Sequence, residues 1–319
     1  MDLAEQLATA SHAEALSLIV AEENTGARRL YERLGYQDIE KRPIVSRPNC
    51  PHTGNWVPRA AMLLFLAATA GCTTLGTGAG QFSEGIPAET IQVHLASGSA
   101  DVDVYWPERA DQAPLVIIAH GFRRHRRHMS GWGRHLANEG FVVAIPDLPT
   151  HSDHVQNGHF VYELEAYLGT EEPWKWRIDP TRVGYLGFSA GGLSSLLAAA
   201  RSPAVVIWIG LDPVDRDGMG VKTAPMVRAR TVVLTAEPSP CNAQGNAHNM
   251  IAALSYPEHH RVPGAVHVDA EWPTSVLAES MCGSSTEERR TEFRVRATNA
   301  LRTALSVSFE ERLGPERSE

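Results

Sequence analysis

From residue 86 onward, apolar positions fall into short continuous blocks separated by longer stretches of mixed polarity. Residues 115–119, 141–145, 183–186, 204–209 and 231–235 are each apolar without alternation. That pattern belongs to strands covered on both faces, as in a parallel sheet. The intervening segments "SGWGRHLANEG" and "AGGLSSLLAAARS" carry helical spacing, so strand and helix alternate as in βαβ units. Nearer the start, "ETIQVHLASGSADVDVYWP" alternates and predicts two antiparallel strands joined by a turn at "SGSA". A last helix, from about 286 to 305, places Phe293, Ala297, Ala300, Leu301 and Ala304 on one face. The expectation is an α/β protein: a mostly parallel central sheet flanked by helices.

The chain ahead of this body reads differently. Residues 16–21 predict a strand, 24–34 a helix with cap oxygens from Asn24 and Thr25 and a stop at Gly35, and Tyr36 opens a second strand. This small β-α-β appendage covers residues 1–47. "RPNCPHTGNWVP" follows without periodicity, as a linker. Then Arg59 precedes the apolar run "MLLFLAATAG", too short for a bilayer span of about 20 residues. It has the form of an export signal's hydrophobic region. Its ending "TAGC" resembles a bacterial lipobox, with Thr69 where leucine is commoner, and the resemblance implies a lipid anchor at Cys72. Residues 48–85 are therefore a linker with a signal-like segment, and 86–319 the main domain. Export implies an extracytoplasmic location, anchored to the cell envelope, whereas a retained front segment implies a cytoplasmic one. In an oxidising compartment Cys241 and Cys282 would be able to pair; the alternative is two unrelated buried thiols.

The appendage also resembles the carboxyl-terminal part of the GNAT N-acetyltransferases, through Asn24, Ala27, Arg28, Leu30, Tyr31, Glu32, Arg33, Gly35 and Tyr36. The resemblance implies that Asn24 lies near a coenzyme and that Tyr31 is a general acid. No glycine-rich phosphate loop stands upstream of Asn24, so the expectation is a remnant without acetyl transfer.

Charge narrows the function classes. Lys plus Arg number 29 against 37 for Asp plus Glu, a formal charge of -8 that gives no general attraction to nucleic acid. The local exception is "RRHRRH", residues 123–128, which reads as a solvated face or as a greeting for an anionic substrate or membrane surface. "HSDHVQNGH", residues 151–159, has metal-like spacing but no accompanying carboxylate or cysteine set, so it is expected to border a cleft and to hold no metal. Trp132, Trp174, Trp176 and Trp272 are candidate walls for an apolar substrate.

"GFSAG", residues 187–191, stands where the third apolar block gives way to a helical pattern. This is the context of a nucleophile elbow, in which a sharp turn lifts the serine hydroxyl above the sheet edge. A serine hydroxyl attacks a carbonyl only with a base to take its proton, and the histidine of such a site comes last in the chain. Among His248, His259, His260 and His267, the last is preferred, because it lies in a loop after the final predicted strand. For the acid, Asp212 ends the strand after the nucleophile helix, Asp215 follows it, and Glu237 ends the next strand. Many proteins of this architecture carry the acid after the strand of Glu237, but Pro238 stands where that aspartate belongs, so Asp212 leads and Glu237 and Asp215 remain alternatives. "HGF", residues 120–122, follows a strand and supplies an oxyanion donor, the Phe122 N–H, to act with that of Ala190. His120 is read as a structural hydrogen-bonder.

Five motifs in order, "HGF", "LANEGFVVAIP", "GFSAGG", "LDPV" and "VHVD", resemble the α/β-hydrolases, and within them the chlorophyllase and dienelactone hydrolase-like serine esterases. The resemblance covers about residues 86–305. It implies an α/β-hydrolase fold, a Ser189–His267–Asp212 triad, Phe122 and Ala190 as the oxyanion hole, no cofactor, and a small-molecule or lipid-like ester as substrate for a monomer. An acetyltransferase or a non-catalytic envelope lipoprotein are the alternatives.

Overall fold

The computed structural model describes residues 86–107 and 112–305. The acetyltransferase-like appendage, the linker and Cys72 lie outside the described residues. Eight strands form one sheet: β1 (Ala88–Leu95), β2 (Gly98–Tyr105), β3 (Ala113–Ala119), β4 (Val142–Pro146), β5 (Ile178–Phe188), β6 (Val205–Leu211), β7 (Arg230–Thr235) and β8 (Glu258–Arg261). Their spatial order is β1-β2-β4-β3-β5-β6-β7-β8. Pairing is antiparallel for β1–β2 and β2–β4 and parallel from β4 through β8. Seven α-helices accompany it among the described residues: α1 (Ser130–Asn138), α2 (His154–Thr170), α3 (Ala190–Ala199), α4 (Met219–Thr223), α5 (His248–Ala253), α6 (Val276–Cys282) and α7 (Glu287–Leu305). This is the α/β-hydrolase arrangement.

Because successive strand side chains point to opposite faces, the unbroken apolar blocks build two cores at once. In β3, Leu115 and Ile117 join Phe160 and Leu164 of α2 and Leu196 of α3. Val116 and Ile118 join Trp132 and Leu136 of α1 and Phe293 and Leu301 of α7 on the other side. The hairpin turn falls earlier than its glycine and serines suggest. Ala96 and Ser97 make it, and Gly98 already faces Leu95 in the ladder. That register sets Val93 opposite Ala100, both buried in the same core.

Parallel strands all end on one side, so the loops after β3, β5, β6, β7 and β8 gather at one sheet edge. The site is built there. Among the described residues no helix is long and apolar enough to cross a membrane.

Candidate active site

Ser189 sits between β5 and α3 with φ 54° and ψ -122°, a backbone conformation rare for any residue with a Cβ. Neighbours hold it there. Its N–H donates to Leu211 O (3.1 Å), and its carbonyl accepts from Gly192 (2.9 Å) and Val214 (3.2 Å). The flanking glycines are steric necessities: a methyl on Gly187 would collide with Ser195 Oγ and the Gly191 carbonyl, and one on Gly191 with the carbonyls of Ala119 and His120. Helix α3 can therefore press against the ends of β5 and β3, which leaves the hydroxyl at the edge.

The three side chains that the sequence singled out meet at that edge. His267 Nε2 lies 2.9 Å from Ser189 Oγ, and His267 Nδ1 lies 2.6 Å from Asp212 Oδ2. With the carboxylate accepting from Nδ1–H, Nε2 is left as the acceptor for the serine hydroxyl. All three are buried, at 7%, 5% and 2% exposure for Ser189, His267 and Asp212, so the chain of hydrogen bonds is shielded from competing water. His267 opens a short 3₁₀ turn, His267–Ala270, and the Phe188 ring packs 4.8 Å from its imidazole. The turn is anchored by Asp269, whose carboxylate accepts from the N–H groups of Val266 (2.8 Å) and Thr286 (3.0 Å) and from Arg289 Nε (2.6 Å).

The other candidates are occupied elsewhere. Asp215 accepts from the N–H of Gly220 at the start of α4, and Glu237 reaches Gly264 N–H at 3.3 Å on the surface. His248 begins α5, while His259 and His260 lie on β8. Sequence reasoning missed Asn242. It is fully buried, donates to Asp212 Oδ2 (3.0 Å) and the Glu237 carbonyl (2.9 Å), and accepts from the N–H groups of Ser239 (2.8 Å) and Gly245 (3.1 Å). Nothing in "PSPCNAQGN" announces this, since the contact spans 30 residues. Ala236 N–H completes the set on the other oxygen of Asp212 (3.0 Å). The adjacent Cys241 is disulfide-bonded to Cys282 at the end of α6, with Cα atoms 5.7 Å apart, which ties Asn242's loop to the segment after His267.

The "HGF" loop packs directly on Ser189: a methyl on Gly121 would stand 3.2 Å from its Cβ. Ala190, at the first position of α3, has no preceding helical carbonyl for its N–H. His120 is buried, its Nδ1 donating to the Gly121 carbonyl (2.9 Å) and its Nε2 accepting from Leu148 N–H (2.9 Å). Burial holds its pKa below the ordinary histidine value, so it is the neutral form that braces the loop. Beside this loop lies a shallow, solvent-open cleft bordered by Gly121, Phe122, Arg123, Leu148, Thr150, His151, His154, Asn157, Ala190 and Ser194 along with His120.

Two surface expectations change. "RRHRRH" is more than a solvated face: Arg126 pairs with Asp103 (2.8 Å) and Asp147, and Arg124 Nε approaches Glu271 Oε1 at 2.7 Å. None of the four tryptophans borders the cleft. Trp132 is buried with its N–H on the Ala270 carbonyl (3.0 Å), Trp174 stacks on Trp106, Trp176 is exposed at the surface, and Trp272 lies under Arg294.

Residues 71–250 match the model of the PET hydrolase-like family, more than half of the chain. The chain belongs to that family. The match includes Ser189 and Asp212 and ends before His267. Where the motifs pointed to chlorophyllase and dienelactone hydrolase-like esterases, the family that matches is the PET hydrolase-like one. Among curated proteins, this PET hydrolase-like chain is 31% identical over 154 residues to a bis(hydroxyethyl) terephthalate hydrolase of Streptomyces coelicolor, covering 47% of the chain and 48% of that protein. It is 24% identical over 212 residues to cutinase 1 of Thermobifida cellulosilytica, covering 64% and 79% respectively. A third relative, lipase 1 of a Moraxella strain, is 28% identical over 157 residues, with 47% and 48% covered. The matched stretch thus spans about half the length of the first and third relatives.

Proposed function

We propose that the protein is a serine hydrolase of carboxylic esters. The observation that carries the reading is the unbroken line from Ser189 Oγ through His267 to Asp212, at 2.9 and 2.6 Å. The relatives' names, a terephthalate-ester hydrolase, a cutinase and a lipase, support the same bond class.

In this reading Ser189 Oγ attacks the ester carbonyl while His267 Nε2 takes its proton, and Asp212 stabilises the imidazolium that forms. Negative charge develops on the carbonyl oxygen, and we assign the N–H groups of Phe122 and Ala190 to receive it; one such donor is worth about 3–4 kcal/mol of barrier lowering. His267 then gives its proton to the leaving alcohol, and a water activated by the same imidazole releases the acid. No step requires a metal or cofactor.

The test is labelling with a fluorophosphonate together with hydrolysis of p-nitrophenyl butyrate. Native protein should do both, and Ser189→Ala and His267→Ala should lose turnover. Equal labelling of native protein and Ser189→Ala would overturn the assignment. Export with lipid attachment at Cys72 belongs to the proposal too. The Cys241–Cys282 disulfide supports it, since such bonds persist in oxidising compartments. Mass spectrometry of the mature amino terminus is the check: an unmodified Met1 would refute it.

A further inference from the structure

The cleft beside the "HGF" loop has one permanent charge on its border, the guanidinium of Arg123. Its border holds Arg123 and three histidines and no carboxylate. Within its motif Arg124 and Arg126 are engaged by acidic side chains, whereas Arg123 and the exposed Arg127 make no ion pair among the described residues, and of these two only Arg123 borders the cleft. Its recorded contact is with its own neighbour, the guanidinium lying 5.3 Å from the centre of the exposed Phe122 ring.

The backbone gives a second, independent observation. Gly121 to Arg124 form a tight turn closed by Arg124 N–H to the Gly121 carbonyl at 3.1 Å, with Phe122 and Arg123 at its corner. Arg123 has φ 54°, in the left-handed region where glycine or asparagine would be at ease and a long side chain costs about 1 kcal/mol. A cation is thus kept at a strained corner, one residue from a proposed oxyanion donor, with nothing in the fold using its charge.

The position also says which part of a substrate the cleft takes. The leaving alcohol must lie by His267 Nε2, from which it receives its proton. Neither Ser189 nor His267 borders the cleft, whereas Phe122 and Ala190 do, so the cleft opens beside the proposed oxyanion donors and away from the leaving alcohol, where an acyl chain can reach it.

We infer that Arg123 is a specificity residue that binds a carboxylate carried on the acyl chain, so that the preferred substrates are half-esters of short dicarboxylic acids. This rests on the ester-hydrolase reading. The planar guanidinium presents paired N–H donors that match a carboxylate, and among the described residues no acidic side chain forms an ion pair with it.

The experiment compares kcat/KM for mono-p-nitrophenyl glutarate, anionic at neutral pH, with that for neutral p-nitrophenyl butyrate. The ratio of the two should fall about fivefold or more in Arg123→Gln, mostly through KM, as expected for loss of one partly exposed ion pair. Raising salt from about 0.05 to about 0.5 M should lower the ratio in the native protein and leave it flat in the variant. Arg123→Gly relieves the turn and should match or exceed native Tm while losing the preference, which separates recognition from mere structure. A ratio unchanged by both substitutions sinks the inference and leaves the hydrolase reading standing. If the native protein cleaves neither ester, both fall together.

Discussion

The amide nitrogen of Asn242 donates to the same oxygen of Asp212 that accepts from His267, at 3.0 and 2.6 Å. Asn242 touches no reacting atom, so it acts through the acid by fixing its rotation and sharing its charge. A carboxylate stripped of such a donor holds an imidazolium more tightly. Asn242→Leu is therefore expected to lower kcat about tenfold, the cost of one unsatisfied buried acceptor, and to move the acid limb of the kcat/KM–pH profile to higher pH. Asn242→Asp, which adds a second negative charge, should move that limb further in the same direction. A limb that stays put while kcat drops would mean a purely structural contribution.

Glu271 gives a stability signature. It is fully buried, receives no hydrogen bond of regular geometry on either oxygen, and meets Arg124 at a close but misaligned 2.7 Å. Burial pushes its carboxyl up to about 7, against the lowering influence of Arg124. Folded protein therefore binds a proton that the unfolded chain has released between about pH 4.5 and 7, and stability falls as pH rises through that window. Glu271→Gln should be more stable than the native protein by about 3 kcal/mol at pH 8, with the gap closing near pH 4.5. Urea unfolding at the two pH values decides it, and a constant gap would count against the protonation account.

The disulfide closes a span of 41 residues between Cys241 and Cys282. Chain entropy alone assigns such a loop about 4 kcal/mol. The Cys241→Ser, Cys282→Ser double variant is expected to lose roughly 10 °C in Tm. It should also lose activity before it unfolds, because Asn242 is the next residue after Cys241. Activity persisting up to the unfolding transition would separate the bond from the site.

Glycine at the elbow is a steric requirement that substitution can expose. Gly191→Ala should destabilise by about 2–3 kcal/mol, since its methyl meets two carbonyls that cannot move independently of β3. Gly169→Ala, within α2 and 3.5 Å from Pro180 at its closest, should be neutral or stabilising. Thermal denaturation of the pair checks both, and equal behaviour would refute the packing argument.

Much of this architecture was legible one segment at a time, because a strand covered on both faces must be apolar along its whole length. Blocks such as 115–119 and 231–235 therefore declare themselves without reference to any partner. The elbow was legible for a similar reason: close packing between α3 and the ends of β3 and β5 demands glycines at 187 and 191 whatever the surroundings. Order along the chain also singled out Ser189 and His267. Pro238 and the "LDPV" motif put Asp212 ahead of Asp215 and Glu237, but those two stayed open as alternatives until position in space showed which carboxylate reaches the imidazole. Asn242, the Arg124–Glu271 approach and the lone charge of Arg123 were likewise beyond local pattern. Each depends on which distant residue the fold brings alongside. Backbone geometry and burial are written in short-range periodicity, whereas the pairing of polar side chains is set only when the loops of separate strands converge on one edge.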